Sequence, residues 1–150
     1  MAYKLSERSL ERLGGLKPEL IAVVKRAIEI TETDFGVTEG LRTVERQREL
    51  VAKKASKTMK SKHITGDAVD LVAYLGSRVS WEISLYDDIA DAIQKAATEL
   101  DVSIRWGAAW HIQDITKYAG SMQEATNEYV DLRRSQGKRP FIDGPHFELT

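Results

Sequence analysis

Apolar residues at Leu20, Val23, Val24, Ala27 and Ile28 recur at steps of three and four. Pro18 stands where a first helical turn tolerates a missing N–H, so the spacing predicts an amphipathic helix over Lys17 to Ile30. Phe35 to Gly40 is a short β-leaning run bounded by glycine. Thr43 can then cap a helix from Val44 to Lys54, which places Arg42 at a strand-to-helix junction. The run Lys53 to Lys62, KKASKTMKSK, shows neither a 2-residue nor a 3.6-residue apolar period and is predicted to be a solvated loop.

Ala68 to Tyr74, AVDLVAY, has the length and β-branched content of a buried strand, broken only by Asp70. Ile89, Ile93, Ala97 and Leu100 keep helical register and predict a helix over Leu85 to Leu100, followed by a short strand from Val102 to Trp106. Ser121-Met122-Gln123-Glu124 is a capping box. It opens a helix that Arg133, Arg134 and Gly137 bring to an end. A turn region, Pro140 to Pro145, leads into a last strand, His146 to Leu149. Strands and helices mix without regular βαβ alternation, which predicts an α+β fold, a small antiparallel sheet flanked by helices. With 150 residues, one core and one domain over 1–150 are expected.

Composition narrows the function. Lys plus Arg number 22 against 23 Asp plus Glu, so no global field draws the chain to nucleic acid or an anionic membrane. The absence of cysteine excludes disulfides, thiolate nucleophiles and Cys-based zinc fingers, so any metal must be held by His, Asp or Glu. No stretch approaches the roughly 20 apolar residues that span a bilayer, so no membrane insertion is expected. Met1 to Leu10 resembles neither a secretory signal nor an anchor, so synthesis in the cytoplasm is expected.

Asp70 carries the first chemical signal, because a carboxylate inside an apolar strand costs several kcal/mol unless charge or hydrogen bonds compensate it. His63, seven residues earlier, leads through Gly66 into that strand, and His146 precedes the final strand behind the stiff Gly144-Pro145 turn. Two imidazoles and a carboxylate suffice for a catalytic zinc, whose fourth position is left open.

Ser61, His63, Gly66, Ala68 and Asp70 together form the pattern S-x-H-x-x-G-x-A-x-D, and Pro145-His146-Phe147-Glu148 supplies a second, C-terminal signature. By these residues the chain resembles the D-alanyl-D-alanine carboxypeptidase family of zinc peptidases, most closely its phage endolysin branch, the L-alanyl-D-glutamate peptidases. The resemblance extends from about Gly40 to Leu149. It implies a hedgehog/D-Ala-D-Ala-peptidase-like fold, Zn2+ on His63, Asp70 and His146, and Asp143 as catalytic acid–base. It also implies Arg42 and Ser61 as substrate contacts. Gln47, one turn beyond Thr43, is expected on the same wall, and Trp110 is expected to form another wall.

The sequence departs from the family at Trp106-Gly107-Ala108-Ala109-Trp110, where Ala109 replaces an acidic residue. His111 is expected to be a neutral, partly buried histidine, and Trp81 and Trp106 to be core or edge residues. The implied function is an endolysin that cleaves the L-alanyl-D-glutamate bond of bacterial peptidoglycan, acting as a monomer on the wall after release from the host cytoplasm. Two alternatives stay open: a D,D-carboxypeptidase or dipeptidase acting on terminal D-Ala-D-Ala, and a non-catalytic zinc-stabilised binding module.

Overall fold

The computed structural model describes residues 2–56 and 58–150; Met1 and Lys57, the latter within the expected lysine loop, lie outside the described residues. The chain runs α1 (Glu7–Leu13), α2 (Pro18–Ile30), β1 (Phe35–Glu39), α3 (Val44–Ala52), β2 (Ala68–Leu75), β3 (Arg78–Ser80), α4 (Ile83–Leu100), β4 (Ile104–Trp106), α5 (Met122–Ser135) and β5 (His146–Leu149), with a 3₁₀ turn at Ile115–Lys117. This is the α+β arrangement the alternation pattern predicts. All strand pairs are antiparallel, in the order β1-β2-β5-β4, and β3 pairs with the far end of β2.

The two-residue period of β2 sorts its side chains. Val69, Leu71 and Ala73 point into the core, where they meet Val37, Ile104, Trp106 and Phe147 and the apolar stripes of α2 and α4. Each fully buried Leu, Ile or Phe there contributes on the order of 2 kcal/mol. Asp70 falls on the opposite face by the same alternation. In β5, Phe147 turns to the core while His146 and Glu148 turn outward. The β2–β5 register sets Asp70 opposite His146 and Ala68 opposite Glu148, which gathers the chemistry on one face of one strand pair.

The expected strand Val102–Trp106 begins two residues later. Asp101 takes a left-handed conformation, φ 55°, as the cap of α4, and the Val102 amide donates to the Ala97 carbonyl, so Val102 belongs to the helix end. Two elements were not predicted. In α1 only Leu13 among the apolar residues is buried, and its N-cap Ser6 is its clearest local mark. β3 has three residues, joined to β2 by a two-residue Gly76-Ser77 turn in which Gly76 adopts φ 63°.

Asp87 on α4 is 8 % exposed, and its Oδ1 meets no partner among the described residues. Burial, and then the neighbouring charges of Asp91 and Asp88, push its carboxyl up to about 6. A carboxyl whose pKa is raised by folding loses stability as pH rises from about 4 towards 6. Asp87→Asn is therefore expected to stabilise the protein at pH 7.5, on the order of 1–2 kcal/mol, and to give no gain at pH 4. Thermal unfolding of both proteins at the two pH values checks this, and an equal gain at both would contradict it.

Candidate active site

Local backbone design brings the outward face of β2 and β5 together with two loops. Gly66, φ 78°, lets the His63 loop turn into β2, and a Cβ there would stand 2.8 Å from the Gly15 carbonyl oxygen. The His63 and Arg42 segments clasp each other: the Arg42 amide donates to the His63 carbonyl at 2.9 Å, and His63 Nδ1 donates to the Gly40 carbonyl at 3.0 Å. That second bond leaves His63 Nε2 facing Asp70 Oδ1 at 3.3 Å. On the other side, His146 Nε2 donates to Glu148 Oε1 at 2.8 Å, which leaves His146 Nδ1 facing the same Asp70 oxygen at 3.2 Å.

One donor atom from each of His63, Asp70 and His146 lies within 4.8 Å of the others. Both imidazoles spend their outer nitrogen on an oxygen acceptor and present the inner one to a common point, the orientation that histidine ligands of metals take. The donor set therefore fits a divalent ion held by two nitrogens and one carboxylate, a set one short of the four ligands of a closed site.

The charges are tightly coupled. Burial raises the Asp70 carboxyl, but hydrogen bonds from His146 and His63 outweigh it and hold the group well below the usual carboxylate range. Burial lowers His146, yet its bonds to Asp70 and Glu148 win and carry it to about 9. Glu148 is 9 % exposed and grips Lys62 Nζ at 3.0 Å as well as His146. Its carboxyl, pushed up by burial, ends below its ordinary value because of those two partners. Because Glu148 fixes the His146 ring, it is expected to matter beyond stability: Glu148→Gln should weaken zinc affinity roughly 10- to 100-fold. Competition against a chelator of known affinity reads this, and an unchanged affinity would remove Glu148 from the orienting role.

Asp143 reaches the site through a turn. The His146 amide donates to the Asp143 carbonyl at 3.1 Å, so the chain reverses over Asp143-Gly144-Pro145-His146. Gly107 clamps this turn: its carbonyl accepts from the Asp143 amide at 2.8 Å, its amide donates to the His146 carbonyl at 2.9 Å, and a Cβ on it would stand 2.2 Å from the Asp143 oxygen. Trp106, fully buried, fixes the turn from below by donating from Nε1 to the Gly144 carbonyl at 2.8 Å. The Asp143 carboxyl is raised above its ordinary value by burial and by the Asp70 charge, against the opposing pull of His146 and His63.

The remaining expected residues divide. Arg42 is largely buried; Nε meets Glu39 Oε1 at 2.6 Å, and Nη1 meets Gln47 Oε1 at 2.6 Å and Ser61 Oγ at 3.4 Å. A bulge in β1 after Val37 brings Glu39 opposite Asp70, and Arg42 neutralises that second carboxylate. Gln47 is fully buried, and its amide nitrogen donates to Ser56 Oγ at 2.8 Å and to the Thr58 carbonyl, so its side chain braces the lysine-rich loop. Ser61 Oγ accepts from the His63 amide at 3.2 Å. The Trp110 ring lies 5.6 Å from the His146 ring and stacks on Phe141 at 6.3 Å, with the Arg105 guanidinium 5.2 Å from its centre. Ala109 is fully buried in the hydrophobic core.

His111 stands apart from the metal-type cluster. It pairs with Glu128 at 3.2 Å and stacks on Tyr129, partly buried. Glu39, Glu148 and Lys62 complete the polar shell of the site without a motif position that foretells all three. Only Glu148 was signalled, by its place in the Pro-His-Phe-Glu run.

A His–Asp–His cluster beside a carboxyl is the donor set of a metal-dependent hydrolase, and the chain belongs to the phage L-alanyl-D-glutamate peptidase family, whose model matches residues 1–150. It is 33 % identical over 154 residues to the L-alanyl-D-glutamate peptidase of Escherichia phage T5, covering 100 % of both chains. It is 29 % identical over 106 residues to the enzyme of that name from Listeria phage A118, covering 69 % of this chain and 37 % of that one. Among solved structures, the L-Ala D-Glu endopeptidase ChiX of Serratia marcescens superimposes with a TM-score of 0.73 at 35 % identity, over 98 % of this chain and 90 % of that one. The resemblance read from the two motifs holds, and the chain is a hydrolytic enzyme.

Proposed function

We propose that this protein hydrolyses the L-alanyl-D-glutamate bond in the stem peptides of bacterial peptidoglycan, using Zn2+ held by His63, Asp70 and His146, and that it serves lysis of a bacterial host. The observation that carries the reading is the convergence of His63 Nε2 and His146 Nδ1 on one Asp70 oxygen, with the raised Asp143 carboxyl one turn away. The names of the relatives from the two phages and from Serratia marcescens support the choice of bond.

When bound, zinc supplies Lewis-acid polarisation of the scissile carbonyl and acidifies the attacking water. The protein's own groups do the rest. Asp143 takes the proton of the attacking water, and its raised pKa lets it return that proton to the departing D-glutamate nitrogen. Arg42 faces substrate through Nη2, which makes no hydrogen bond among the described residues, and a guanidinium suits the free carboxylate of D-glutamate. Gln47 and Ser61 position Arg42, and Trp110 walls the cleft beside His146.

The test is mass spectrometry of a defined muropeptide digested with the zinc-loaded protein. A sugar product ending in L-alanine and a peptide beginning with D-glutamate are expected. Release of D-alanine instead would favour a carboxypeptidase, and no cleavage at all would overturn the reading.

A further inference from the structure

Trp81 is the most exposed of the large apolar residues among the described residues, at 69 %, although tryptophan normally seeks burial. It is nevertheless held in place. Its ring lies parallel to that of Tyr86, with an interplanar angle of 7° and centres 6.3 Å apart. Tyr86 is itself buried and anchored where the end of β3 pairs with β2: its hydroxyl donates to the Ser80 carbonyl at 2.7 Å and accepts from the Ala73 amide at 3.2 Å. A rigid indole with an open face, flanked by the exposed polar side chains Arg78 and Glu82, has the character of a binding platform.

Its position relates it to the reaction centre. On β2, His146 lies opposite Asp70 and Ser80 lies opposite Ala73, so β3 continues along the same edge of β2 that β5 occupies. Three residues of strand separate the two pairs, about 10 Å. Tyr86 also packs against the catalytic turn: a Cβ at Gly144 would lie 3.2 Å from Tyr86 Cβ and 3.4 Å from Ile83 Cδ1. Through Tyr86 the Trp81 ring is thus within about 11 Å of a Cβ position at Gly144, the neighbour of Asp143, and Ile83, itself exposed, also touches that position.

The substrate's chemistry sets a matching distance. In peptidoglycan the L-alanine amine is joined to a lactyl group on an N-acetylated amino sugar, so a single residue and that short ether arm separate the scissile bond from a sugar ring. That span is about 10 Å when extended. The apolar face of a pyranose packs flat on an indole, and its hydroxyl and acetamido groups would meet polar neighbours such as Arg78 and Glu82.

We propose that Trp81, backed by Tyr86, is a platform for the N-acetylated amino-sugar ring that carries the stem peptide, so that the enzyme recognises glycan as well as peptide. The proposal rests on the bond assignment made above. Its test compares two substrates of the zinc-loaded enzyme, a disaccharide-linked stem tripeptide and the sugar-free N-acetyl-L-alanyl-γ-D-glutamyl-L-lysine. The wild type is expected to prefer the sugar-bearing substrate. Trp81→Ala should lower kcat/KM on it roughly tenfold, mainly through KM, while leaving the sugar-free peptide unchanged, and Trp81→Phe should recover most of the loss. Equal effects of Trp81→Ala on both substrates, or none on either, would overturn the platform while the bond assignment stood. Failure of the wild type to cut either substrate would overturn the bond assignment and the platform with it.

Discussion

Asp143→Asn is expected to lower kcat/KM on muropeptide by roughly two to four orders of magnitude while zinc affinity and melting temperature change little. The amide keeps the shape of the turn, because the bonds that hold it run through the backbone of Asp143, Gly107 and His146 rather than through the carboxyl. What disappears is a group able to accept and return a proton. Burial and the Asp70 charge have moved that group towards neutrality, where a general base and a general acid can be one residue. Retention of full activity would show that another group carries the proton. A loss of zinc together with the loss of activity would instead make Asp143 part of metal retention.

The second large effect concerns the metal and pH. In the metal-free protein His146, at about 9, carries a proton at neutral pH and forms an ion pair with Asp70, whose carboxyl stays ionised throughout. Zinc needs the His146 nitrogen unprotonated, so the ion must displace a proton. Apparent zinc affinity is therefore expected to fall about tenfold for each unit that pH drops below 9, with close to one proton released per zinc at pH 7. Calorimetry in buffers of different ionisation enthalpy measures this directly.

The same raised pKa works in the opposite direction on the apo protein. A group raised by folding stabilises fully below its unfolded value near 6.5, and that contribution is lost as pH rises through about 9. Chelated protein should thus be less stable at pH 9.5 than at pH 6, on the order of 2 kcal/mol, and zinc should remove most of the difference. An affinity independent of pH between 6 and 9 would contradict this coupling of zinc to the His146 proton.

Much of this centre is legible in the residues themselves. Asp70 is visible because a carboxylate inside AVDLVAY demands a partner, and the spacing from His63 through Gly66 suggests one. The pairing of Asp70 with His146 is a long-range strand register, which no local pattern encodes. Gln47 illustrates the opposite limit. Its place one turn after Thr43 suggested a wall of the cleft, but its amide is consumed inside the protein by Arg42, Ser56 and the Thr58 carbonyl. α1 and β3 escaped because seven- and three-residue elements with few buried apolar positions carry almost no periodic signal. Trp81 could be assigned only to core or edge, since its exposure depends on the Gly76-Ser77 hairpin turning β3 back along β2.

The most direct test of the central claim is a zinc titration of chelated protein, followed by cleavage of a muropeptide at the L-alanyl-D-glutamate bond. Activity should rise from none to a plateau at one zinc per chain in the wild type, and Asp70→Asn should stay inactive across the same range. Full cleavage by the metal-free protein, or by Asp70→Asn, would contradict the account.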